Sequence, residues 1–233
     1  MKRILLTLPI TLLVCFHANP QSSVDPGTIK DGTYINRGFA FSYQYPKDWV
    51  VHGEATNDRI SELGKEKMVD TGVLSKSSAE VSIKNTNYLL TVFRYPLGKP
   101  GITFNPAILI LVENVAYAPG ITNGKDYLLN LRALLEKTGA RFTLKEPLGY
   151  HFAGSEFFGD SSTTTINGIP IVQRHFCKII NGYALVFVFI GPDQPTMDEM
   201  TKTMETFKVI PGRDAGSKIG SPEQSKPNRN HSQ

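Results

Sequence analysis

The stretch IPIVQRHFCKII-NG-YALVFVFI, residues 169–190, decides the fold of this chain. Asn-Gly between two apolar runs is the strongest short hairpin signal, because a two-residue type I′ turn needs positive φ at both central positions. Counting outward from Asn181 and Gly182 places Ile180 opposite Tyr183, Cys177 opposite Val186 and His175 opposite Val188. Residues 183–190 are apolar at every position, so both faces of this strand must be covered and it belongs at the centre of a sheet. Downstream, Thr196 to Glu199 fits a capping box, and Met197, Met200, Met204 and Phe207 recur at helical spacing. That stripe predicts a helix lying on one face of the sheet.

Working outward, Asn167 and Gly168 form a second two-residue turn joining 161–166 to the strand that starts at Ile169. Strands are expected near 141–146 and 151–160, which makes this half of the chain a meander. An amphipathic helix over 125–138 carries Tyr127, Leu128, Leu131, Leu134 and Leu135 on one stripe, with Gly139 as its stop. The preceding 116–124, with Pro119-Gly120 and Asn123-Gly124, reads as a surface loop. Apolar strands are expected at 89–95 and 107–112, separated by a loop over 98–106, and a short surface helix at 57–70 from the pattern Ile60, Leu63, Lys67 and Met68 among many charges. In 39–45, Phe39, Phe41, Tyr43 and Tyr45 alternate with small or polar residues and Pro46 stops the run, giving a half-buried strand with an aromatic inner face.

The chain has 233 residues, 40% hydrophobic and 20% charged, enough for one globular domain with a substantial core. Its formal charge of +4 comes from the two ends, and the body between them is balanced. A nucleic-acid footprint is therefore not indicated. Lys2-Arg3 followed by the apolar run 4–16, too short to span a bilayer, reads as an export signal over residues 1–20. The expected organisation continues with a spacer over 21–33, one domain over 34–210 and a polar, disordered tail over 211–233. The expected location is extracytoplasmic, periplasmic or secreted. Cys15, in Leu-Leu-Val-Cys, also stands where a bacterial lipobox carries its lipidated cysteine, and a membrane is a partner only on that reading. Cys177 is then the only thiol of the body, so no internal disulfide supports the fold.

The run 41–49, FSYQYPKDW, resembles the opening strand and turn of the PsbP family, the extrinsic proteins of the photosystem oxygen-evolving complex, and of its non-photosynthetic bacterial relatives. The resemblance continues in 153–157, AGSEF, and in the terminal hairpin with its acidic-start helix, 198–204. It implies an α+β fold, a mainly antiparallel sheet sandwiched by helices, with binding or assembly roles and no shared catalysis.

No phosphate loop, Cys-x-x-Cys pair, His-Glu-x-x-His helix or nucleophile elbow is present. Met197, Met200 and Met204 could serve copper(I), but helical spacing alone explains them as core. Asp198 and Glu199 fit a helix start, and Glu156 with Asp160 is the remaining carboxylate pair to test for acid and base work. The inferred register creates one polar cluster, Asp160, His175 and Cys177 on a single face. Alternate residues on a strand are about 6.5 Å apart, too far for a proton-transfer dyad, so a metal site is the chemistry that spacing admits. Its competitor is a buried thiol beside a satisfied histidine. The expected function is a non-catalytic, exported binding or assembly module with an unidentified protein partner in the envelope and no cofactor. The alternatives are a small exported metal-binding protein or metal-dependent enzyme, and a lipid-anchored accessory subunit of a membrane complex.

The turn at Asn181-Gly182 is testable directly. Gly182→Val places a β-branched residue at positive φ and is expected to cost about 1–3 kcal/mol. An unchanged denaturant midpoint would reject the type I′ turn.

Overall fold

The computed structural model describes residues 24–212 except Asn167; the expected export signal with Cys15 and the tail beyond Gly212 lie outside the described residues. Twelve strands and four helices follow in order: β1 (Thr28–Lys30), β2 (Thr33–Asn36), β3 (Phe41–Gln44), β4 (Val50–His52), α1 (Glu54–Asp70), α2 (Lys76–Asn85), β5 (Thr86–Phe93), β6 (Ala107–Asn114), α3 (Gly124–Lys137), β7 (Arg141–Phe142), β8 (Leu148–Phe152), β9 (Ser155–Ile166), β10 (Ile169–Ile180), β11 (Tyr183–Gly191), α4 (Gln194–Lys202) and β12 (Lys208–Val209). Every strand pair is antiparallel, so the fold class is α+β. Strand β1 falls within 21–33, so paired structure begins in the expected spacer, ahead of Tyr34.

The large sheet has the order β4-β5-β6-β11-β10-β9-β7, with β8 also on β9. The expected hairpin is present with its register: Ile180 pairs with Tyr183, Cys177 with Val186 and His175 with Val188. Asn181 and Gly182 have φ of 52° and 77°, as a type I′ turn demands. Across the second turn Ile166 pairs with Ile169, which carries Asp160 opposite His175.

Strand β11 divides the interior. Leu185, Phe187 and Phe189 point into one core, closed by the small sheet β1-β2-β3-β12 and by α4. Ala184, Val186, Val188 and Ile190 point into the other, closed by α1 and α3. In the first core Phe41 stacks on Phe207 at 5.7 Å, and Phe157 and Phe187 meet Phe207 edge-on at 5.1 and 6.0 Å. These offset and edge geometries are the ones aromatic quadrupoles favour. The methionine stripe is core: Met197, Met200 and Met204 are buried, the last in a 3-10 turn (Thr203–Thr206) that continues α4.

Four local expectations change. Helix α4 starts one turn before Thr196: Asp193 is its N-cap, accepting from Thr196 N at 2.8 Å, because Pro195 fits the first turn where no amide is needed. Asn123-Gly124 is the start of α3 rather than the end of a loop, with Asn123 and Asp126 forming a capping box. The strand expected at 151–160 is split by a tight turn at Ala153 and Gly154, φ 48° and 75°, into β8 and β9. Finally, α2 had no counterpart in the sequence reading. Its Ser75 cap accepts from Ser78 N at 3.1 Å, and it buries only small or polar residues, Ala79, Ser82 and Asn85, so it shows no apolar stripe.

Gly124 explains how α3 reaches the sheet. A Cβ there would sit 2.1 Å from the Cys177 carbonyl oxygen, so only glycine lets the helix start press on β10. Gly124→Ala is expected to cost about 1–3 kcal/mol by forcing helix and strand apart. Gly120→Ala, with open space around it, should leave the unfolding midpoint unchanged.

Candidate binding cleft

The predicted polar cluster lies on the α3 face. Asp160 is buried and committed: its Oδ2 accepts from Arg132 Nε at 3.2 Å and Nη2 at 2.6 Å, and its Oδ1 from Ser161 N at 2.8 Å. Burial still pushes its carboxyl above the usual range, with Arg132 opposing. His175 faces it across the strands but has no hydrogen-bond partner on either ring nitrogen, and burial lowers its pKa to about 4. Burial, reinforced by nearby Glu113, pushes the Cys177 thiol well up. A neutral thiol is a poor ligand, and among the described residues no group of three His, Cys, Asp or Glu side chains could hold a metal ion. Glu156 is exposed and lies four residues from Asp160 along β9, about 13 Å, so the two do not form an acid and base pair.

Sequence reasoning passed over Glu113 on β6. It is buried beneath α3 with its carboxyl beside the Tyr127 hydroxyl, and the two approach without full hydrogen-bond geometry. Burial raises both groups, favouring the neutral carboxyl of Glu113. A charged residue closing an apolar strand run, in Leu-Val-Glu113, was the only signal available.

A cleft lies elsewhere, at the β4 edge of the large sheet. Strand β4 pairs with only three residues of β5, from Val50 opposite Phe93 to His52 opposite Thr91. Beyond Thr91 the chain of β4 leaves into α1, and no strand among the described residues pairs with the outer edge of residues 86–90. The break coincides with a bulge between Tyr88 and Leu90, where the register with β6 shifts; bulges bend and over-twist a strand. The result is a cleft of about 660 Å³ running along β5.

Its two long walls differ. One is α1, held beside β5 by Thr91 Oγ1 donating to Asn57 Oδ1 at 2.7 Å. Glu54, Asp58 and Glu62, four residues apart on that helix, line the cleft as one stripe. Glu62 is paired with Lys65, whereas Glu54 and Asp58 are exposed and have no ion-pair partner among the described residues. The other wall is the start of the small sheet, where Tyr34 donates to the Pro26 carbonyl at 2.9 Å and holds Thr28 and Ile29 at the rim. Ile29 is 44% exposed and Val51 40%, two open apolar side chains on the lining. At the floor, His52 Nε2 and Asn87 Nδ2 are shielded and have no hydrogen-bond partner. Burial lowers the His52 pKa, so its ring is neutral at pH 7 and one nitrogen can donate or accept. A concave site with apolar walls and a few convergent polar groups has the anatomy of a binding site.

No protein-family model matches the chain, and no curated protein matches its sequence. Solved structures resemble it at low identity. Cyanobacterial PsbP from Synechocystis is 7% identical over 84% of this chain and 98% of its own, with a TM-score of 0.46. LpqN of Mycobacterium tuberculosis, described as involved in cell envelope biogenesis, is 11% identical over 80% of this chain and 87% of its own, TM-score 0.43. A Bacteroides thetaiotaomicron protein is 13% identical over 78% of this chain at TM-score 0.39, and the chain spans about half of its length, 49%. These likenesses concern architecture and transfer no functional residue.

His175 supplies a pH prediction with a definite sign. Its folded pKa of about 4 lies below the ordinary 6.5, so the unfolded chain binds the extra proton first. The stability it confers is complete above the unfolded pKa and is lost as pH falls toward 4. Glu113 and Asp160 act with the opposite sign, and both are common to wild type and His175→Leu, so the difference between the two isolates the histidine. Between about pH 7 and about pH 4.5 the wild type is expected to lose about 2 kcal/mol more than the variant by denaturant titration. Parallel pH profiles would show that His175 is solvated.

Proposed function

We propose that this protein is a non-catalytic, PsbP-like binding or assembly module that works outside the cytoplasm and engages its partner at the β5 cleft. The unpaired edge of β5 carries this reading, because it joins an open strand edge, exposed apolar side chains and unpartnered polar atoms in one concavity. The basic, apolar start of the chain and the resemblance of 41–49 to the PsbP opening motif support the location and family. No helix among the described residues is long and apolar enough to cross a membrane.

Photo-crosslinking in the native cell envelope tests the reading. A benzophenone side chain at Val51, in the cleft, is expected to give a discrete covalent adduct. The same group at Leu148, 50% exposed at the far edge of the sheet, is expected to give none. Equal adducts at both positions, or none at Val51, would overturn the cleft as the working surface.

A further inference from the structure

Residues 86–90 of β5 are hydrogen-bonded to β6 on one side and carry no strand on the other among the described residues. Five residues of open edge correspond to about 17 Å of strand. An exposed edge in a soluble protein is a template for pairing unless it is blunted by charge, proline or a covering element. Here residues 86–90 read Thr-Asn-Tyr-Leu-Leu, without proline or charge, and the bulge between Tyr88 and Leu90 bends the edge without any strand covering it among the described residues. The flanking layers instead stand apart and leave a slot in line with β4.

The two faces of that slot also specify what would fill it. Val51 lies opposite Val92 and on the same face as Leu90, the face that packs toward the small sheet and Ile29. His52 lies opposite Thr91, on the other face, toward Asn57 and Asp58 of α1. A strand laid along β5 would project successive side chains alternately to these two sides. One side meets apolar Ile29, Val51 and Leu90; the other meets the carboxylates of Glu54 and Asp58, which have no ion-pair partner among the described residues. Charge complementarity therefore favours an occupant that alternates apolar and basic residues.

Resting on the binding reading above, we propose that the cleft captures an extended segment of a partner polypeptide as an added strand on β5, with basic side chains toward Glu54 and Asp58 and apolar ones toward Ile29 and Val51. Main-chain pairing with residues 86–90 supplies the anchoring, and the two walls supply the selectivity. His52 Nε2 and Asn87 Nδ2 gain partners from the incoming backbone.

The probe is a short alternating Lys-Val peptide, titrated by fluorescence anisotropy into the full mature chain. It is expected to bind, to weaken with added salt, and to confer hydrogen-exchange protection on the amides of residues 86–90. Glu54→Lys with Asp58→Lys, both on exposed positions, should weaken it by roughly tenfold or more while a cooperative thermal transition is retained. Leu148→Glu should have no effect. Equal binding of an alternating Glu-Val peptide, or of an N-methylated Lys-Val peptide that cannot pair, would overturn the proposal. So would protection of residues 86–90 in the free chain that disappears on deleting 213–233, which would assign the slot to the protein's own basic tail. A cleft adduct at Val51 in the envelope together with failure of the Lys-Val peptide would overturn this occupant and leave the binding reading standing.

Discussion

From Ala184 onward strand β11 has no face that water can reach, and the rest of the molecule is arranged to satisfy that. Leu185 to Ile190 are all within 2% of complete burial, with alternate side chains sent to two separate cores. At about 25 cal/mol per Å² of apolar surface, neither face could be left open without a large penalty, so two different covering layers are compulsory. Helices α1 and α3 close one side. The aromatic strands of the small sheet, with α4, close the other. The last helix follows β11 after a short connection at Pro192 and Asp193, so the strand brings its own lid. Phe207, at the end of that lid, meets Phe41 from the first part of the domain and ties the two ends of the fold together.

The same two-layer requirement creates the cleft. Both layers must lean on the central strands, and at the β4 side, where β4 pairs with only three residues of β5, a cleft remains between them. Thr91 and Asn57 fix one wall, Tyr34 and Pro26 the other. The opening is thus held by hydrogen bonds of the scaffold rather than by a mobile loop, which is the preorganisation a binding site needs. On the α3 face burial instead favours the neutral forms, raising the Glu113 carboxyl and the Cys177 thiol and lowering His175. Only Asp160 keeps a full charged partner, Arg132, and that pair fastens α3 to β9.

Local signals in the chain carry through to the structure. Asn181-Gly182 specified a turn, the turn specified a register, and the register brought Asp160, His175 and Cys177 to one face. That placement is arithmetic on a period of two. What these side chains do there was not legible, because the partner that takes Asp160, Arg132, comes from a helix whose docking depends on Gly124. Helix α2 was invisible for a related reason: its buried face is Ala79, Ser82 and Asn85, chosen for close approach and not for hydrophobicity.

By itself, then, the order of residues determined the elements whose signals are short-range: the two Asn-Gly hairpins, the apolar central strand, the amphipathic α3 and the methionine stripe of α4. Turn chemistry and side-chain periodicity act within a few residues, so they survive without a fold. The tertiary structure alone decided which strand edge stays empty, which carboxylates line it and which buried groups lose their charge. Those outcomes depend on the distance between segments far apart in the chain: Ile29, Asp58 and Leu90 share a cleft only because two layers close on one strand.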